Sequence, residues 1–370
     1  MIRKLVVVGA LAVAPATLRA DFSYVETTRL TGGMIAQISR SLGGLSKSLR
    51  KITEPQTTQV YVKGDRMAQV GPTEAQIWDL SKETVTLVNY EEKTYATITL
   101  AEMKEASEKL LQRINKSKNR NSNDPELNVK FDVKQTGKVR TIAGMEAREA
   151  LLTMILEGKD KKSGQTAATE MMSSIWLVNS VPGHEELQEF YRKMGAKMAG
   201  RWGMSALDRQ AEILAGSDPK MVEWAQKMAK EAEKLNGLHV LQIMKYGSGL
   251  DPAKASEITD PSTMPEGPTA GQVAGKAAEE SVVGALGRAL PGGLGRLGGF
   301  GRRNRDKEKE QPAPPPNPQT QPQGAAVLME MVTELSNFST AAVDPSKFDI
   351  PAGFKKVEHP MAKLAREDRR

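Results

Sequence analysis

The sequence predicts an α+β protein of about ten mostly antiparallel strands with three or four helices. Three observations carry this expectation. Between Thr57 and Leu100, short β-rich runs follow one another across tight polar connections. Leu127, Val129, Phe131 and Val133 alternate strictly with Asn128, Lys130, Asp132 and Lys134, the pattern of a half-buried strand. Helical stripes fall between groups of strands and not after each strand, which excludes a parallel doubly wound sheet.

The first twenty residues come before that fold. Arg3 and Lys4 precede the apolar run Leu5 to Ala14, and Ala20 closes the segment. This is the order of a secretory signal peptide, too short to span a bilayer. The expectation is cleavage near Asp21 and export, to the periplasm or beyond. The chain has no cysteine, so neither a lipid-bearing N-terminal Cys nor a disulfide is available, and packing must stabilise the fold.

Asp21 to Leu30 suits a strand. Met34, Ile38, Leu42, Leu45 and Leu49 then mark a helix. Thr57 to Val62, Ile77 to Leu80, Thr84 to Tyr90 and Thr94 to Leu100 read as a meander, with Lys63-Gly64-Asp65-Arg66 as one of its turns. Met103, Ala106, Leu110 and Ile114 mark a second helix. Strands follow at Leu127 to Val133, around Gly137 and Gly144, at Ala147 to Leu156 and at Ser174 to Val178. Pro182-Gly183 opens a helix with Glu185 and Glu186 in its first turn, where carboxylates suit the dipole. A further helix is expected from Asp218-Pro219 to Gly237, and Leu238 to Tyr246 returns to β. Gly247 to Gly324 is rich in Gly, Pro and Ala. Its composition predicts disorder, interrupted only by a short helix at Ser281 to Leu290. Ala326 to Thr340 resumes a strand pattern. A long loop closes at modest entropic cost, so the flanking strands can still pair across it. The expected division is therefore signal peptide 1–20, domain 21–246, insert 247–324, closing strands 325–357 and charged tail 358–370.

Tyr61-Val62-Lys63-Gly64-Asp65-Arg66-Met67, Thr141-Ile142-Ala143-Gly144-Met145, the Trp176 strand followed by Pro182-Gly183, and Phe348-Asp349-Ile350-Pro351-Ala352-Gly353-Phe354 occur in that order. Together they resemble a family of secreted bacterial proteins known only as a domain of unknown function, with relatives among periplasmic lipoprotein carriers of the LolA and LppX type. The resemblance spans Asp21 to Val357 outside the insert. It implies a strongly curved antiparallel sheet, a half-barrel, with helices covering its concave face and acyl chains held between the two. It carries over no catalytic or binding residue.

The formal charge is +7. Removing the leader's Arg3, Lys4 and Arg19 leaves +4, with both signs interspersed, which argues against a dedicated nucleic-acid binder. Gly293-Leu294-Gly295-Arg296-Leu297-Gly298 matches a dinucleotide fingerprint without the flanking strand and helix that chemistry needs. Gly271 to Lys276 is one residue short of a phosphate loop, and Ala277 stands where a magnesium-holding hydroxyl belongs. His184, His239 and His359 lack metal-ligand spacing. Asn119 to Asp124 lacks the Gly and Glu of a calcium loop. Neither a cofactor nor a metal is expected.

Of the 18 methionines, Met194, Met198, Met204, Met221 and Met228 lie between Pro182 and Gly237, with Trp176, Trp202 and Trp224 nearby. Methionine suits surfaces that fit variable apolar partners. The candidate ligand-lining set is Trp176, Phe190, Met194, Trp202 and Trp224; an ordinary helix-on-sheet core is the plainer account of the same spacing. Gly284 to Arg305 combines Leu286, Leu290, Leu294, Leu297 and Phe300 with five arginines, a composition suited to an envelope partner or an anionic membrane surface as well as to a flexible linker. Two functions follow: a non-enzymatic carrier of an acyl chain or lipoprotein, or a structural or interaction protein with a filled core that uses the insert as its contact element. No constellation supports an enzyme.

Overall fold

The structure is a computed structural model and describes residues 21–42, 54–118, 126–159, 166–202, 230–231, 234–260 and 326–366. The expected signal peptide, the helix at 218–237 except for residues 230–231 and 234–237, and the expected short helix at 281–290 lie outside them. Its elements are β1 (Phe22–Gly32), α1 (Gly33–Leu42), β2 (Gln56–Lys63), β3 (Arg66–Val70), β4 (Glu74–Asp79), β5 (Thr84–Asn89), β6 (Thr94–Thr99), α2 (Leu100–Lys118), β7 (Glu126–Ile142), β8 (Met145–Lys159), β9 (Thr166–Val178), α3 (His184–Trp202), β10 (Leu238–Ser248), β11 (Ala326–Ser339), β12 (Lys355–Lys356) and α4 (Pro360–Arg366).

All twelve described strands join one sheet in the order β12-β6-β5-β4-β3-β2-β1-β11-β10-β9-β8-β7. Neighbours are antiparallel except β12, which runs parallel to β6, so the sheet is mixed. The expected half-barrel of about ten antiparallel strands is corrected in three respects. The sheet is larger and mixed, it is neither closed nor strongly curled, and the described helices are few and do not cover a face. The register supplies a physical reason. Strong curvature needs bulges or kinks repeated through successive strands, yet the pairings from β2 to β6 run without a shift. Closure would also require β7 to meet β12, and these lie at opposite ends of the sheet.

Local chemistry explains the meander and its hairpins. Lys63 faces Arg66 across the two-residue turn Gly64-Asp65. In the β7–β8 hairpin, Ile142 faces Met145, and both intervening residues, Ala143 (φ 49°) and Gly144 (φ 78°), are left-handed. That is the two-residue turn whose twist matches paired strands. At the start of α2, Thr99 Oγ1 accepts from the Glu102 N–H (3.1 Å), and Glu102 Oε2 accepts from the Thr99 N–H (2.8 Å). This reciprocal cap satisfies two otherwise orphaned donors.

The strands flanking the Gly/Pro-rich segment do pair: Gly247 faces Val327 and Ser248 faces Ala326. The expected insert boundary at Gly247 falls inside β10. Residues 249–260 also belong to the fold, because Leu250 and Ala255 pack with Leu151 and Met172, and the Leu250 N–H donates to Glu170 Oε2 at 2.8 Å. In the expected charged tail, α4 packs Met361 and Ala362 with Met103 of α2 beside Val85 and Ile98. Phe348, in a 3-10 turn at Pro345–Phe348, and Val343 pack on Ala68, Ala75, Ile77 and Val88. The largest core joins β1, β2, β9, β10 and β11 to α3.

Candidate functional site

α3 and β1 build the region to which the sequence-predicted ligand residues belong. Along β1, Phe22, Tyr24 and Glu26 recur every second residue and face Val62, Val60 and Thr58 of β2. Phe22 and Tyr24 are buried. Their rings lie 5.7 Å apart and stand 6.3 and 6.2 Å from Phe338. α3 can approach because residue 183 is glycine. At φ 83°, a Cβ there would meet Thr340 Cγ2 at 2.7 Å and Phe22 Cδ2 at 2.9 Å, so a side chain would bring both backbone strain and overlap. The helix is then pinned by polar contacts. Glu186 Oε1 accepts from the Gly64 N–H at 2.8 Å, and Lys193 Nζ donates to Asp65 Oδ1 at 2.7 Å.

Leu187, Phe190 and Met194 lie at helical spacing and meet the β1–β2 core. Phe190 is 0% exposed, and its ring lies 5.9 Å from that of Tyr191. Trp176 of β9, 3% exposed, joins the same core, and Met194 packs against it. The structure therefore brings together Trp176, Phe190 and Met194 of the predicted set. Trp202 ends α3, but its side chain lies outside the described residues, as does Trp224 entirely. Among the described residues the buried Trp176 indole N–H has no hydrogen-bond partner, while the Arg140 guanidinium stands 4.8 Å from its ring centroid, within cation–π range.

Sequence reasoning missed two buried carboxylates. Glu149 on β8, 1% exposed, accepts from Ser174 Oγ (2.6 Å) and Thr136 Oγ1 (2.8 Å), with Lys138 Nζ at 3.4 Å. Burial alone raises its pKa, but these hydrogen bonds and Lys138 outweigh it and hold the carboxyl below its ordinary value. Glu330 on β11, also 1% exposed, accepts from Thr31 Oγ1 (2.6 Å), the Thr259 N–H (2.8 Å) and Thr259 Oγ1 (2.7 Å). Lys245 faces it across the ladder, with Nζ 3.5 Å away. The signal was present in Met329-Glu330-Met331, a charge inside an apolar strand, but its partners depend on register.

It also missed Glu26. Among the described residues this half-buried carboxylate has no hydrogen bond or ion pair, and burial pushes its pKa up. Burial likewise raises the Tyr24 and Tyr191 hydroxyls, and Glu26 adds to both.

The histidines form no metal centre with other side chains: among the described residues no group of three or more His, Cys, Asp or Glu could hold an ion. Burial lowers the pKa of His184, His239 and His359, and His184 lowers His239 further. His359 Nδ1 accepts from the Met361 N–H at 3.2 Å, which requires that nitrogen to be unprotonated. The unfolded chain, with histidines near 6.5, therefore binds protons first as pH falls. Their contribution is complete above about pH 6.5 and is lost as pH drops through that value toward the folded pKa values. Urea unfolding at pH 5.5 is expected to show a lower midpoint than at pH 7.5. The double variant His184→Gln/His239→Gln should flatten part of that dependence, and an unchanged midpoint in the parent would refute the assignment.

No protein-family model matches the chain, and no curated protein matches it.

Proposed function

We propose that this chain is a non-enzymatic structural or interaction protein of the cell envelope, with a filled core and the segment between β10 and β11 as its contact element. One observation carries this choice over the acyl-chain carrier: Phe190 and Trp176 are 0% and 3% exposed within one packed core, with Met194 against it. These are the residues that would line the carrier's cavity. That cavity also called for a layer of helices over the sheet, and the helices among the described residues are too few to form one. The contact role rests on position: the segment leaves and returns at facing positions of the central strands β10 and β11. No described helix is long and apolar enough to cross a membrane. Export to the periplasm or beyond rests on the leader pattern Arg3-Lys4, Leu5 to Ala14 and Ala20.

Met194→Ala tests the filled core. Because Met194 is partly buried, the substitution is expected to cost about 2 kcal/mol in urea unfolding, the low end of the large-to-small range for buried methionine. A near-neutral result would restore the carrier. Intact-mass measurement of chain recovered from an envelope fraction is expected to show a start at or near Asp21. Recovery of the full chain from the cytosol alone would contradict export.

A further inference from the structure

The neighbouring strands β8, β9, β10 and β11 each place a methionine on one face of the sheet. Met154 of β8 faces Met171 of β9, and Met244 of β10 faces Met331 of β11. Met171 also faces Tyr246, and Met244 faces Ser173, so Met171 and Met244 are diagonal neighbours on adjacent strands. Cβ atoms of facing residues lie about 4.5–5.5 Å apart, and the diagonal is within reach of long side chains. The four methionines thus form one continuous row.

The row lies on the side of the sheet away from α3. Side chains alternate along a strand. Ile243 and Val332, next to Met244 and Met331, join the core that contains Leu187 and Phe190 of α3. Met172, next to Met171, packs with Leu250 and Ala255, and it faces Lys245, two residues from Ile243 on the same strand.

Packing does not account for the row. All four methionines are half-buried. Met154 borders the cluster of Phe131 and Val133, but Met171, Met244 and Met331 join none of the hydrophobic cores among the described residues. Strands favour β-branched and aromatic residues, and the other face of β10 and β11 carries Leu241, Ile243 and Val332. What methionine adds is a polarizable thioether. Neutral thioethers select a soft ion such as Cu(I), and not a hard divalent ion that demands oxygens. No group of three or more His, Cys, Asp or Glu among the described residues offers a competing ligand set.

We propose that this row binds a soft monovalent metal ion of the Cu(I) class, with Met171 and Met244 at its centre and the facing Met154 and Met331 beside them. Histidine spacing gives no reason to expect a zinc-type centre, and this site uses no histidine. It is independent of the filled core beneath α3, which lies across the sheet.

Calorimetric titration of the full chain with silver nitrate in chloride-free buffer tests it. Ag(I) matches the charge and softness of Cu(I) and needs no reductant. Saturable binding of one ion at the tightest site is expected. Met171→Leu/Met244→Leu removes both central thioethers at nearly constant volume, a swap that costs little stability. It should weaken the binding by about tenfold or more. Met103→Leu, on α2 at the other end of the sheet, should leave it within about twofold. Thermal unfolding checks that each variant is folded. Isotope-labelled methionine methyl resonances of the parent keep the test valid should the double variant not fold. Ag(I) is expected to shift the resonances assigned to Met154, Met171, Met244 and Met331 by single leucine substitutions. No saturable binding by the parent, equal binding by Met171→Leu/Met244→Leu, or shifts confined to other methionines would overturn the proposal and leave the row as apolar cover.

Discussion

Phe190→Ala is expected to lower unfolding stability by about 3–5 kcal/mol, the range for a buried aromatic truncated in a packed core. Phe190 is fully buried and lies in one cluster with Leu187 and Val181 and with Phe22, Val60, Val62, Trp176, Leu241 and Val332 from the sheet. The surroundings cannot easily collapse into the vacated space. Gly183 already holds the start of α3 in contact with Phe22, and the Glu186–Gly64 and Lys193–Asp65 contacts fix the helix over the β2–β3 turn. Such a loss is a third or more of the 5–15 kcal/mol typical of a domain. Urea unfolding measures it; a cost under about 1 kcal/mol would mean that Phe190 faces an empty or adaptable space.

The second large effect is expected at Glu330. Glu330→Ala removes the acceptor of three hydrogen bonds, from Thr31 and Thr259. It also leaves Lys245, whose side chain is 10% exposed, without its facing carboxylate. Among the described residues Lys245 then keeps only the Lys254 carbonyl, at 2.6 Å. Breaking a buried charged pair in this way costs about 3–5 kcal/mol. Replacing both members by apolar residues of similar size, Glu330→Met with Lys245→Met, should recover much of that loss. The same change should loosen residues 249–260, because Thr259 is held to β11 through Glu330. Limited proteolysis of that segment is therefore expected to accelerate in Glu330→Ala. Unchanged stability and unchanged cleavage would show that the contact is incidental.

Much of the strand content was legible because alternation directly records which side chains face a core. Leu127 to Val133 was read this way and lies within β7. The pairing of β10 with β11 across the long segment was also expected, since closing a loop costs little more as it lengthens. β3 escaped notice because Arg66-Met67-Ala68-Gln69-Val70 is short and carries one β-branched residue, so its strand character comes from pairing with β2 and β4. Curvature was not legible either: alternation assigns faces, but bending depends on bulges, and although Gly137 (φ 77°) marks the irregularity between Gln135 and Val139, its geometry is set only by pairing with β8.

The site divides along the same line. Phe190 and Met194 were legible as one stripe of a helix, and Trp176 as a strand residue. Their meeting in a single core required knowing that α3 crosses β1 and β2. Glu26, Glu149 and Glu330 each interrupt a β pattern with a charge. Whether such a charge is paired, as Glu330 is with Thr31, Thr259 and Lys245, or left alone, as Glu26 is among the described residues, depends on strand neighbours far away in sequence. The Phe348 to Phe354 string was legible as a motif but not as the segment whose Phe348 packs on Ala68, Ile77 and Val88.

The central claim is that the core beneath α3 is filled by its own side chains. Equilibrium binding of a fluorescent fatty-acid probe tests it most directly on the parent protein. The account predicts no saturable binding and no change in probe emission when Phe190 or Met194 is replaced by alanine. Saturable one-to-one uptake that either substitution alters would contradict it and place an acyl chain between sheet and helix.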